Sequence, residues 1–248
     1  MPPRTLCVLG THTEVGKTWV SVQLLTLARS QGLRVAARKP VQSFEALATQ
    51  TDAELLAQAT GESEADVCPA HRQYPLALAP PMAADLLQRP RILLDELLHE
   101  LHLPESLDLA LVETVGGLLS PLAHDADSVD LARRLRPCRM ILVADAGLGT
   151  LNAVRLSLEC LSPLSAVVFL NRFDTDNELH RLNRQWLIER YGAAVETTID
   201  GLWTRVFRTA EQNGVEIGSS TGDTGHTGTK EEPDLTQRSQ SAQRKKRR

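Results

Sequence analysis

Residues 5–18, "TLCVLGTHTEVGKT", restrict the possible folds more than any other part of this chain. An apolar run of strand character ends at Gly10. Gly16-Lys17-Thr18 then opens a long amphipathic stretch that closes at Gly32. A strand, a glycine-bounded turn and a helix in that order make an anion site. Amides of the turn and of the helix N-terminus point at phosphate oxygens, the lysine adds charge, and the threonine hydroxyl can ligate a divalent cation. The common phosphate loop has four residues between its outer glycines, whereas five separate Gly10 from Gly16.

The same alternation continues along the chain. Strand-like runs at 5–10, 33–39, 107–113, 139–145, 165–171 and 193–199 are interleaved with helical patterns at 17–32, 52–60, 83–88, 92–101, 128–136, 150–161 and 177–191. Residues 61–81, rich in proline, read as a winding connection. The pattern predicts an α/β fold of the P-loop type: a doubly wound, mostly parallel sheet with helices on both faces. Composition changes near residue 218. The remaining stretch has one leucine and no aromatic residue, which predicts a folded domain over 1–217 and a disordered polar tail with a basic end over 218–248.

Charge and apolar content narrow the partners. A net charge of −4 argues against a nucleic-acid-binding body. No window approaches the roughly 18 consecutive apolar residues of a membrane span. The four cysteines form no C-x-x-C pair, and the first apolar run is too short for a secretory signal, so the expected location is cytoplasmic.

Two further residues stand where such a sheet places its ligands. Glu113 ends the buried run "LDLALVE", and Lys39 ends "LRVAARK", so both emerge at the carboxyl edge of the sheet. Asp52 precedes a helical pattern and is either its N-cap or a third member of the site. Thr18, Asp52 and Glu113 together suit a hydrated Mg²⁺.

"GTHTEVGKT", "KPVQS" at 39–43, Asp52 before a helix, "VE-x-x-GG" at 112–117 and "LGTLN" at 148–152 come in the order and spacing of the dethiobiotin synthetases, which the chain resembles over about residues 4–200. In that family the loop is longer by one residue. The resemblance implies an ATP- and Mg²⁺-dependent cyclo-ligase. It joins CO₂ to 7,8-diaminopelargonic acid, phosphorylates the carbamate, and closes the ureido ring of dethiobiotin. It further implies that Thr18, Asp52 and Glu113 hold the metal, and that Lys39 and Lys17 are catalytic. Glu14, Val15, Gly16, Lys17, Thr18, Trp19, Asp52, Glu113, Gly116, Asn171 and Arg172 would bind ATP, with Asn171 reading the base. Thr13 and Ser43 would contact the substrate, while Thr150, Leu151 and Asn152 would take its carboxylate across a homodimer interface. The chain departs from the family at Phe44, where glycine is usual, at Thr114-Val115, and at Arg172, where aspartate is frequent. An alternative consistent with these changes is an ATP-binding relative with a regulatory or switch role and no dethiobiotin-forming activity.

Overall fold

The long strands are buried over consecutive positions, so both faces of the sheet are apolar and must be covered, and a three-layer α/β arrangement results. The computed structural model describes residues 4–104, 106–135 and 138–208. In chain order the elements are β1 (Arg4–Gly10), α1 (Lys17–Ser30), β2 (Val35–Arg38), β3 (Gln42–Ser43), α2 (Asp52–Thr60), α3 (Glu64–Val67), a 3₁₀ turn (Ala70–Arg72), β4 (Gln73–Tyr74), α4 (Pro80–Leu86) and α5 (Leu94–Glu100). There follow β5 (Leu109–Glu113), β6 (Pro121–Ala123), β7 (Ala126–Asp127), α6 (Ser128–Arg134), β8 (Arg139–Asp145), α7 (Thr150–Leu161), β9 (Ala166–Asn171), α8 (Glu178–Tyr191), β10 (Val195–Glu196), α9 (Ile199–Trp203) and a closing π-turn (Thr204–Arg208).

Six strands form one parallel sheet in the order β10-β9-β8-β1-β5-β2. On one face Leu6 and Val8 of β1 pack with Leu24 and Leu25 of α1, Leu56 of α2 and Leu202 of α9. On the other, Cys7 and Leu9 pack with Val129 of α6, Val154 of α7 and Leu187 of α8. A side cluster around Val41, Tyr74, Ile92 and Leu97 seats α4 and α5.

The chain leaves β1 toward β2 and β5 on one side and later toward β8, β9 and β10 on the other. The direction of winding therefore reverses at β1, and the crevice where such sheets bind ligands lies beyond its carboxyl end. Parallel pairing brings the ends of five strands to that edge: the loop after Gly10, Lys39 after β2, Glu113, Asp145 and Asn171.

The expected elements form with some differences. The strand expected at 193–199 is confined to Val195–Glu196, because the Thr198 side chain accepts from the Gly201 amide and starts α9. The connection at 61–81 contains α3, the 3₁₀ turn and β4, which pairs with β3 at 42–43, and the β6–β7 hairpin was not expected. The expected tail at 218–248 and the domain boundary at 217 lie outside the described residues. Among the described residues no helix is long and apolar enough to cross a membrane.

Candidate active site

The floor of the site is an ionic cluster built from three elements. Lys39 Nζ, on a residue only 2% exposed, donates to Glu113 Oε1 at 2.6 Å and to Asp52 Oδ2 at 2.7 Å. Glu113 is fully buried. Burial alone would lower the Lys39 pKa, but Asp52 and Glu113 outweigh it and hold the ammonium above its ordinary range. Conversely Lys39 draws the Asp52 carboxyl below the usual carboxylate range against the effect of burial, with help from the Lys39 and Thr18 hydrogen bonds.

Thr18 Oγ1 sits 2.8 Å from Asp52 Oδ1 and 2.8 Å from Glu113 Oε1. One hydroxyl carries one proton and cannot serve both carboxylates at once. Thr18 Oγ1, Asp52 Oδ1 and Glu113 Oε1 are three converging hard oxygens of the kind that ligate a small divalent cation, so the donor set fits Mg²⁺. Asp52 is free for this role because Thr51 is the N-cap of α2, in a reciprocal capping box with Glu54.

The phosphate loop wraps over this floor. Lys17 Nζ donates to Gly116 O at 2.8 Å, and burial, with Lys39 nearby, lowers its pKa to about 8. Gly16 caps α1 with φ of 92°. A Cβ there would lie 2.1 Å from Asn171 Nδ2, so both conformation and space demand glycine. Asn171 Nδ2 donates to Val15 O at 2.9 Å. Arg172 Nη2 donates to Glu14 O at 2.6 Å, and its Nη1 to Asp145 Oδ2 at 2.8 Å.

A cleft of about 650 Å³ adjoins the cluster, lined by Thr13, Glu14, Gly16, Lys17, Thr18, Lys39 and Asp52. Ser43, Phe44, Leu78, Pro80, Val115 and Gly116 also line it, so its wall carries both polar and apolar groups. The Ser43 hydroxyl donates to Leu78 O, leaving its lone pairs toward other partners. A second pocket of about 500 Å³ is lined by Gly16, Trp19, Phe169, Asn171, Arg172 and Phe173, and half-exposed Trp19 forms one wall.

Most of the sequence-derived residues thus meet around these two cavities. Thr150, Leu151 and Asn152 line neither. They open α7 behind Gly149, and Thr150 Oγ1 is buried without a hydrogen-bond partner among the described residues. Sequence reasoning missed Ser21, which is fully buried and donates to Glu113 Oε2 at 2.7 Å. Its place on α1, three residues past Thr18 and on the same helical face, was the available signal.

A strand–loop–helix phosphate cradle at the reversal point of a parallel sheet, over a lysine–carboxylate floor, defines a P-loop nucleotide-binding protein. The AAA domain family profile matches residues 4–190. The chain is 37% identical over 200 residues to the ATP-dependent dethiobiotin synthetase BioD of Haloferax mediterranei, covering 77% of this chain and 81% of that protein. It is 39% identical over 165 residues to the enzyme of the same name from Caulobacter vibrioides (64% of this chain, 74% of that one). Identity to the Aquifex aeolicus protein of that name is 31% over 191 residues (75% and 84%). The chain belongs to the ATP-dependent dethiobiotin synthetase family. Among solved structures, the signal recognition particle receptor FtsY from Elizabethkingia anophelis aligns with 81% of this chain and 61% of that chain at 14% identity, with a TM-score of 0.48.

Proposed function

We propose that this chain makes dethiobiotin from 7,8-diaminopelargonic acid, CO₂ and ATP, as a cytoplasmic homodimer that uses Mg²⁺. The observation that carries the reading is buried Lys39 held between Asp52 and Glu113 at the floor of a cleft whose wall is the phosphate loop.

One amine of the substrate attacks CO₂ and loses a proton, giving a carbamate. A carbamate oxygen attacks the γ-phosphorus while the bond to the β-phosphate oxygen breaks, releasing ADP. The second amine attacks the carbamoyl carbon and loses its proton, the phosphate departs, and the cyclic urea closes. Little covalent chemistry falls to the protein, so its task is positioning and charge neutralisation. In this reading Lys39 stabilises the carbamate and Lys17 the transferred phosphoryl group. Amides of Glu14 to Trp19 receive the other phosphate oxygens. Thr18, Asp52 and Glu113 would hold Mg²⁺, which when bound neutralises phosphate charge.

Under this proposal the apolar wall of the cleft, Phe44 with Leu78, Pro80 and Val115, takes the substrate's aliphatic chain, and Thr13 and Ser43 offer polar contacts. In this reading Asn171 faces the base from the second pocket. The α7 amides at Thr150, Leu151 and Asn152 receive the substrate carboxylate from a second copy's cleft. The test is phosphate release with Mg-ATP and bicarbonate, with and without the diamine, and product mass. Release that requires the diamine and yields dethiobiotin supports the proposal. Release indifferent to the diamine overturns it in favour of a nucleotide-binding relative without this activity.

A further inference from the structure

The phosphate loop contains one non-glycine residue in the left-handed region, Glu14 at φ 64°, and it is gripped by another, Arg172 at φ 54°. Such backbone is strained for both side chains and persists where surrounding contacts over-determine it. Those contacts are visible. Arg172 Nη2 takes the Glu14 carbonyl at 2.6 Å, Asn171 Nδ2 takes the next carbonyl, Val15, at 2.9 Å, and Asp145 at the end of β8 anchors the other arm of the guanidinium at 2.8 Å.

We infer that Arg172 is a positioning residue that acts on the triphosphate through the loop backbone and makes no nucleotide contact of its own. The inference rests on the reading that this chain binds ATP. In a planar trans peptide the C=O and the following N–H point in opposite directions. Holding the carbonyls of Glu14 and Val15 against the end of β9 therefore turns the amides of Val15 and Gly16 away from it, toward the cleft that Gly16 and Lys17 line. The two arms of Arg172 are both occupied, one by the loop and one by Asp145, and the rigid fork suits this bridging role better than a lysine's single head group. Without the clip, the peptide between Glu14 and Val15 is free to rotate, and a phosphate oxygen loses its donor.

A loop effect weakens every ligand that carries the triphosphate, whatever its base. Dissociation constants of ATP, CTP and inorganic triphosphate, each with Mg²⁺, are to be measured by calorimetry on the full chain and on Arg172→Ala. The expected result is a rise of about tenfold for all three ligands, the scale of one charge-assisted hydrogen bond. Arg172→Lys recovers part of the loss. Asp145→Ala reproduces part of it in the native background and adds nothing in Arg172→Ala, since the two act as one unit. Thermal melts accompany each variant, and if Arg172→Ala does not fold, Arg172→Lys and Asp145→Ala carry the same comparison. Loss confined to ATP, with CTP and triphosphate unchanged, shows a base or sugar contact and overturns the inference. So do unchanged constants for all three. A native protein that binds none of them refutes the nucleotide reading itself, and the inference falls with it.

Discussion

Replacement of Lys39 by methionine separates the structural role of the ionic floor from its chemical one. Methionine retains most of the buried stem, so the packing defect is small and the charge is the main loss. Glu113, fully buried, keeps the hydroxyls of Ser21 and Thr18 but no cation at hydrogen-bonding distance. Removing one partner of a buried pair costs about 3–5 kcal/mol, because the other charge stays buried and uncompensated. Asp52 contributes less, since its side chain is 44% exposed and water replaces part of the interaction. For a domain of this size the penalty lowers the melting temperature by about 10 °C at neutral pH. Asp52 gives the effect a pH signature. Its pKa is depressed by Lys39, so the stability it supplies is present above the ordinary carboxylate range and is lost as pH falls. The gap between native and variant protein is therefore widest above about pH 5 and narrows below about pH 4. Melting curves across that range measure the first effect, and diamine-dependent phosphate release at neutral pH measures the second. A variant that melts with the native protein shows that Glu113 does not rely on Lys39. A variant that retains most of its turnover shows that Lys39 does not stabilise the carbamate.

Three other outcomes follow from neighbouring contacts. Gly16→Ala forces a Cβ to within 2.1 Å of Asn171 Nδ2 at a φ of 92°, so it should displace the loop and weaken ATP more than tenfold in a binding titration. The Lys17 ammonium, with a pKa lowered to about 8, loses its proton as pH rises through that value. The profile of kcat/KM for ATP should therefore fall on its alkaline side with a midpoint near pH 8 in the free enzyme. Ser21→Ala leaves Glu113 Oε2 without its donor at 2.7 Å, which should cost about 1.5–3 kcal/mol in chemical denaturation and raise the Mg²⁺ concentration needed for half-maximal turnover.

Features fixed by local chain order were legible in the sequence. β8 and α7 form over the residues expected, and Glu113 and Lys39 emerge where strand ends place them. Asp52 was ambiguous, although Thr51-x-x-Glu54 is a capping-box pattern that frees the aspartate from the capping role. The strand expected at 193–199 was over-extended because β-branched residues there favour a strand on either side of the cap at Thr198. Arg172 was read as an ATP contact, and its grip on Glu14, 158 residues away in sequence, depends on β1 and β9 lying on either side of β8. No local pattern carries that information.

If the chain binds ATP as proposed, the charges around the site make the loop's shape matter more than its charge count. Lys17 and Lys39 are balanced by Asp52 and Glu113, and the first turn of α1 carries no acid. The four groups sum to zero, so the protein offers little net charge to attract a polyphosphate. On the proposed reading, attraction comes from Mg²⁺ and from aligned amides at the N-terminus of α1, and amide dipoles act only when correctly aimed. Their aim is set by Gly16, which leaves room for Asn171, and by the Asn171 and Arg172 contacts to successive carbonyls. A substitution that moves the loop and alters no charge, Gly16→Ala, should thus weaken ATP as severely as the loss of a lysine. If Gly16→Ala binds ATP normally while Lys17→Met does not, charge outweighs shape here and this account of the site is wrong.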